Sequence, residues 1–250
     1  MIKTKEEILA MREGGRMLAD ILSLLLAQVR PGIMTKELDR AAESLILKAG
    51  AKSAFKGYEG FPATLCTCVN EEFVHAVPSD RVLKEGDIVT LDIGLIFKDM
   101  YLDMARTVPV GEVSREARRL IRVTKKAGKL ALKKIRPGGT LGDIGNTIER
   151  LAKDQGYGIA QGLCGHGIGR ELHEEPKVFN EGKRHAGLKL KEGMVICVEP
   201  MFAEGSGELE KMEDGSGFKT KDGSLSAHFE DTIAVTADGC EVLTRIRSGE

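Results

Sequence analysis

The chain repeats itself, and that constrains its fold more than any other feature. Val29-Arg30-Pro31-Gly32 returns 106 residues later as Ile135-Arg136-Pro137-Gly138, and Leu83-Lys84-Glu85-Gly86 returns 107 residues later as Leu190-Lys191-Glu192-Gly193. The same shift sets Leu38 against Ile144, Leu45 against Leu151 and Gly50 against Gly156. Two copies are too few for a solenoid, which stacks three or more units to bury its faces. They fit a single unit over 1–250 whose halves, about 1–110 and 111–250, are related by a pseudo-two-fold axis.

Each half reads as helices followed by strands. Thr4-Lys5-Glu6-Glu7 is a capping box opening a helix over 4–29, which the Pro-Gly pair ends, and a second helix is expected over 35–48. Ser114 opens a helix over 114–135, and Thr140 one that ends near Gly156. Strands rich in β-branched residues are expected over 87–96, 100–110, 194–202 and 227–236, with shorter ones over 62–69 and 72–77. The fold class is therefore α+β. The segment 204–223, with Gly205, Gly207, Gly215, Gly217 and Gly223, is expected to be a long mobile loop acting as a rim or lid.

Acids interrupt the strands where a core should be apolar. Asp92 sits inside Val89-Thr90-Leu91-Asp92-Ile93, and Asp103 inside Tyr101-Leu102-Asp103-Met104. A hairpin turning at 97–99 would set the two directly opposite one another, where they repel unless a proton or cation intervenes. The second half does the same: Glu199 lies nine residues after Leu190, as Asp92 lies nine after Leu83, and Glu230 is expected as its cross-strand partner. Asp231 must point to the other face. An ion network with Lys or Arg would neutralise one such acid. Four acids placed alike in both halves favour two divalent cations, in an oxygen-rich site suited to Mn, Fe or Co.

Gly165-His166-Gly167-Ile168-Gly169 surrounds an imidazole with glycines, which allow close approach of backbone to a ligand. It lacks the spacing of a dinucleotide loop, and no strand clearly precedes it. His173-Glu174-Glu175-Pro176 does not begin an H-E-x-x-H zinc helix. His75 has packing and chemical readings of equal weight, whereas His185 and His228 read as surface or supporting residues.

Together, Asp92-Ile93-Gly94, Asp103, the glycine-flanked His166, His173-Glu174-Glu175-Pro176, Glu199-Pro200 and Glu230 resemble the type I methionine aminopeptidases in their short bacterial form. The resemblance runs over nearly the whole chain. It implies the pita-bread fold, a curved antiparallel sheet with two helix pairs on its outer face. It also implies removal of the initiator methionine from nascent proteins with a small second residue. Asp103 and Glu230 would bridge two metals (Mn, Fe, Co or Zn), Asp92 would chelate one, and His166 with Glu199 would complete the other. A water acidified between the cations would attack the first peptide carbonyl. His173 would hydrogen-bond the scissile peptide, His75 would contact the substrate, and Glu199 would carry the proton. The resemblance places Tyr58, Phe61, Cys66, Leu172 and Phe218 around the methionine side chain, and Asn70 with Ser226 at a sodium or potassium ion. Phe55, Phe61, Leu172 and Ala76 depart from the residues usual in the family. Relatives are commonly monomers.

Thirty-seven basic against 38 acidic residues leave a net charge of −1, which excludes a wholesale nucleic-acid coat. No apolar run approaches the ~20 residues of a membrane span, and the N-terminus turns acidic where a signal peptide would turn apolar. Five cysteines without a CxxC pair fit a reducing compartment, so a cytoplasmic protein without membrane contact is expected. One charged stripe stands out. Arg115, Arg118, Arg119, Arg122, Lys125, Lys126, Lys129 and Lys133 line one side of the 114–135 helix, either as a solvated face or as a dock for ribosomal RNA. The alternatives to the leading reading are an Xaa-Pro aminopeptidase or dipeptidase of the same fold, a non-catalytic binding module, and an RNA-binding protein that would leave the strand acids unexplained.

Overall fold

The computed structural model describes residues 2–246. Its long helices form two pairs, α1 (Lys5–Leu26) with α2 (Thr35–Lys48) and α3 (Arg115–Leu132) with α4 (Leu141–Gln155). The caps are those the sequence announces. Thr4 and Glu7 exchange side-chain and backbone hydrogen bonds, Ser114 accepts from the Ala117 amide, and Thr140 pairs with Asp143. Each satisfies amides that the first helical turn leaves without partners.

The strands are β1 (Lys52–Ser53), β2 (Leu65–Val69), β3 (Glu72–Val74), β4 (Ile88–Phe97), β5 (Met100–Pro109), β6 (Gly158–Ile159), β7 (Cys164–Gly167), β8 (Glu174–Phe179), β9 (Val195–Val198), β10 (Met201–Ala203), β11 (Leu209–Lys211), β12 (Phe218–Thr220), β13 (Ser226–Val235) and β14 (Cys240–Val242). The main sheet runs β1-β4-β5-β13-β9-β7-β8, all antiparallel, with β2 on β4, β10 and β14 on β13, and β6 on β10. Its centre is where β5 of the first half meets β13 of the second.

The repeated motifs turn out to be each other's partners. The Gly32 amide donates to the Leu83 carbonyl at 2.8 Å, and the Gly138 amide donates to the Leu190 carbonyl at 3.0 Å. Both glycines have positive φ (90° and 81°), a conformation that favours glycine over any residue with a Cβ. The Pro-Gly turn that ends the first helix of each half is thus stitched to the turn that opens its strands.

Strand alternation then separates two faces. Leu91, Ile93, Leu95, Leu102 and Met104 pack under α1 and α2, while Ile196, Val198, Ile233 and Val235 pack under α3 and α4. A Cβ at Gly14 of α1 would press on Leu102, so the helix lies close on the sheet. The opposite face carries the acids.

Three expectations need correction. The β4–β5 hairpin turns on two residues, Lys98 and Asp99, both at positive φ, a tighter turn than 97–99. Register moves accordingly: Asp92 faces Ala105 and Asp103 faces Gly94, so the two acids are diagonal on one face and not directly opposed. The expected 194–202 strand is divided into β9 and β10 around Glu199-Pro200, since proline has no N–H for the ladder. The segment 204–223 is a β-hairpin, β11 and β12, paired to β3. Gly217 makes that contact possible, because a Cβ there would run into the backbone of Val74 and His75.

Candidate metal centre

A single transverse row organises the site. Cys66 on β2 faces Asp92 on β4, Asp92 faces Ala105 on β5, and Ala105 faces Glu230 on β13. Glu199 continues the row, since Val198 pairs with Asp231 on one side of it and Met201 with His228 on the other. Residues directly opposed share a face, so the register alone delivers Asp92, Glu230 and Glu199 to one side of the sheet, with the small Ala105 between the two halves' acids. Asp103 lies two residues before Ala105 on the same face, where Thr232 clamps its backbone by accepting from the amide (3.1 Å) and donating to the carbonyl (2.7 Å).

His166 comes from β7, so the glycine-flanked histidine lies in a strand and not in a loop. A Cβ at Gly165 would collide with the Cys197 carbonyl, and one at Gly167 with the Glu175 carbonyl. These glycines admit the neighbouring strands rather than a ligand. The His166 Nδ1 lies 2.9 Å from the Gly167 carbonyl oxygen, which can only accept. The ring proton is therefore on Nδ1, and Nε2 turns a lone pair towards Glu199 Oε1 (3.7 Å) and Glu230 Oε1 (3.8 Å).

Ligand-type atoms fall into overlapping groups, each within 4.8 Å: Asp92 with Asp103 and Glu230, Glu199 with His228 and Glu230, and His166 with Cys197 and Glu230. Asp92 Oδ1, Asp103 Oδ1 and Glu230 Oε1 are buried without a hydrogen-bond partner. Burial raises the pKa of Asp92 to about 6 and pushes Asp103, Glu199 and Glu230 well above the carboxylate range, with neighbouring carboxylates raising the last three further. Burial lowers His166 and His228 to about 4, so both are neutral at pH 7. Unpartnered carboxylate oxygens facing an imidazole lone pair are donors to a cation, and the set suits a hard or borderline divalent ion.

The centre forms the floor of a cavity of about 1060 Å³. Phe55, Tyr58, Phe61, Cys66 and Leu172 make an apolar wall, His75 and His173 open onto the space, and Gly215 with Ser216 of the β11–β12 hairpin lie at the rim. The Tyr58 hydroxyl lies 3.0 Å from His173 Nδ1, and the His173 ring is 4.5 Å from that of His166. Phe218 packs against the cluster of Phe73, Val74 and Met201, the last two of which line the cavity. Asn70 and Ser226 also lie outside the cavity. Ser226 Oγ is within 3.1 Å of the Asn70 carbonyl and 2.9 Å of the Glu72 carbonyl, gathering three oxygens.

One neighbour was left between two readings by the sequence, and another escaped it. His228, fully buried, lines the cavity with Nε2 3.4 Å from Glu199 Oε2. It lies two residues before Glu230 on one strand, and strand periodicity places the two on one face. Arg106 is buried on the far side, donating to the Ala105 and Glu230 carbonyls and to Asp231. It accounts for Asp231, which points away from the acids as expected.

Comparison with known proteins agrees with this architecture. Residues 9–237 match the model of metallopeptidase family M24, and the chain belongs to that metal-dependent family. Within it, the chain is 43% identical over 247 residues to the methionine aminopeptidase of Clostridium perfringens, covering 99% of both. It superposes on the methionine aminopeptidase of Rickettsia prowazekii with a TM-score of 0.96 at 39% identity, covering 98% of this chain and 99% of that one. The prolidase of Pyrococcus furiosus gives 0.80 at 26%, with 98% of this chain covering 66% of that longer one.

The buried acids predict an unusual pH response. Histidines with lowered pKa are neutral in folded and unfolded chains alike above about pH 6.5, whereas carboxyls raised well above their unfolded value of about 4 still hold protons only when folded. Metal-free protein should therefore lose stability as pH rises through the range in which these carboxyls give up their protons, and saturating Mn should remove that slope. Thermal unfolding with and without chelator reads both.

Proposed function

We propose that the cavity holds the N-terminal methionine of a peptide against its apolar wall and hydrolyses the bond that follows. Two divalent cations would lie at Asp92, Asp103, His166, Glu199 and Glu230. The observation that carries this reading is the set of buried, unpartnered carboxylate oxygens facing the His166 lone pair at the cavity floor. Glu230 enters every group of ligand-type atoms, and Asp103 with Glu230 would serve both cations. Asp92 would complete the set for one, and His166 with Glu199 for the other. When bound, the cations supply Lewis acidity to the scissile carbonyl and acidify a water.

The chain's own groups supply the rest. With the Tyr58 hydroxyl donating to Nδ1, His173 presents Nε2–H to the scissile carbonyl oxygen as negative charge develops there. His75 faces the same space and contacts the substrate backbone. Glu199 accepts the proton released by the attacking water and returns it to the leaving amine. Phe55, Tyr58, Phe61, Cys66 and Leu172 bury the thioether and exclude water. The substrate is a nascent chain with a small second residue, met in the cytoplasm by a monomer. Among the described residues no helix is long and apolar enough to cross a membrane. A sodium or potassium ion at Ser226 Oγ and the Asn70 and Glu72 carbonyls would brace the rim.

Chelator-stripped protein given Mn, Fe, Co or Zn should release methionine from Met-Ala-Ser and leave Met-Leu-Ser, Ala-Ala-Ser and Ala-Pro-Ser intact. Release of alanine from Ala-Pro-Ser would instead support a proline-directed enzyme. His173→Ala should lower kcat by about a hundredfold with KM little changed. Ala105→Val, which leaves every acid in place but fills the space between them, should weaken divalent metal binding at least about tenfold by calorimetry.

The basic stripe of α3 is the proposed ribosome dock. Arg119 is engaged elsewhere, with Tyr157 and Gln155, and Arg118 pairs with Glu112, so the stripe is narrower than the sequence suggests. Arg115, Arg122, Lys126, Lys129 and Lys133 remain along one exposed side. Changing Arg122, Lys126 and Lys129 to Glu should abolish ribosome co-sedimentation at low salt and spare peptide cleavage. Unchanged sedimentation would sink the dock.

A further inference from the structure

Lys3 is an oddity: a lysine whose side chain has no solvent exposure, 171 residues away in sequence from its partner. Its Nζ donates to Glu174 Oε2 at 2.8 Å. A buried ammonium is costly unless paired, and pairing it here fixes the carboxylate as firmly as the lysine. The backbone brings it there. The Lys3 amide donates to the Gly193 carbonyl at 2.8 Å, and Ile2 bridges to Met194 at the start of the strand leading to Glu199. The stem then passes Gly169, where a Cβ would overlap Lys3 Cε.

Glu174 uses its other oxygen differently. Oε1 accepts from the Arg170 amide at 2.7 Å and the Glu171 amide at 3.4 Å, closing a turn that carries Leu172 and His173 into the cavity. Gly169 anchors that turn, accepting from the Tyr101 amide at 2.7 Å and donating to the Glu171 carbonyl. From outside, Arg170 grips Glu7 of α1 through Nε and Nη2. Burial alone would raise the Glu174 pKa; the Lys3 ammonium and the Arg170 amide outweigh it and hold it at about 2.

We propose that Lys3 is a positioning residue for His173: its buried ammonium locks the Glu174 carboxylate, and that carboxylate fixes the turn that aims the His173 ring. The proposal rests on the role given to His173 above. Without the ammonium, Glu174 would lose the hydrogen bond that fixes Oε2, and with it the orientation in which Oε1 holds the Arg170 amide, which loosens the turn. Beyond that turn, His173 is held by the Tyr58 hydroxyl and by edge contact with the His166 ring.

The test is a mutant cycle on the metal-loaded full chain, using Lys3→Met, which keeps the stem and removes the charge. Lys3→Met should lower kcat for Met-Ala-Ser about tenfold with KM within about twofold, and should change kcat less than about twofold in a His173→Ala background. An equal loss in both backgrounds, or no loss in either, overturns the proposal. The 15N resonances of the His173 imidazole, assigned by their disappearance in His173→Ala, should shift or broaden in Lys3→Met. An unchanged imidazole spectrum overturns it too. A wild-type chain that cleaves no peptide refutes the assigned function instead, and the imidazole spectrum then decides the positioning by itself. If Lys3→Met does not fold, Glu174→Gln breaks the pair from the other side and takes the same readings.

Discussion

Four carboxylates on one buried face cannot all be ionised without a counter-charge, and the rest of the architecture follows from that constraint. At separations under 5 Å in a desolvated site, mutual repulsion leaves protonation or cation binding as the outcomes. Arg106, the buried guanidinium nearby, serves Asp231 and two carbonyls on the far side of the sheet. The acids are left facing an imidazole whose proton points elsewhere. A family that depends on metal for hydrolysis is the natural setting for such an arrangement.

The duplicated halves explain how the charges are brought together without breaking the fold. Each half contributes a pair of acids from strands whose alternate residues are deep in a helix-covered core, so apolar burial on one face supports the polar cost on the other. Long antiparallel strands joined by a two-residue turn fix the register of Asp92 and Asp103, and a slip of one residue would put either acid into the core. Small residues set the spacing. Ala105 leaves room in the middle of the row, and Gly165 and Gly167 let β7 lie flat enough to deliver His166.

Much of this was legible in the sequence because it is written in local patterns. Capping boxes marked the helices, β-branched runs marked the long strands, and the repeat marked the axis. The acids stood out because Asp92, Asp103 and Glu199 interrupt strands that are otherwise apolar. What escaped depends on pairing between distant segments. The diagonal offset of Asp92 and Asp103 is set by positive φ at Lys98 and Asp99, neither of them a glycine. The β11–β12 hairpin lies in a glycine-rich, polar stretch and gains its order from β3, more than 130 residues earlier. Phe218 has the aromatic character of a pocket residue, and it packs against Val74 and Met201 of the cavity wall. His228 was within reach, since period-two alternation from Glu230 points to it. Lys3 carried no signal at all, because only the folded chain brings it to Glu174.

The central claim is that the acid row is built to hold two cations, and anomalous scattering from Mn-loaded crystals tests it most directly. The account predicts two manganese peaks per chain, one between Asp92 and the Asp103–Glu230 pair, the other between that pair and His166 with Glu199. A map with no peak on the row, and carboxyls hydrogen-bonded to one another across Ala105 in saturating metal, would contradict it.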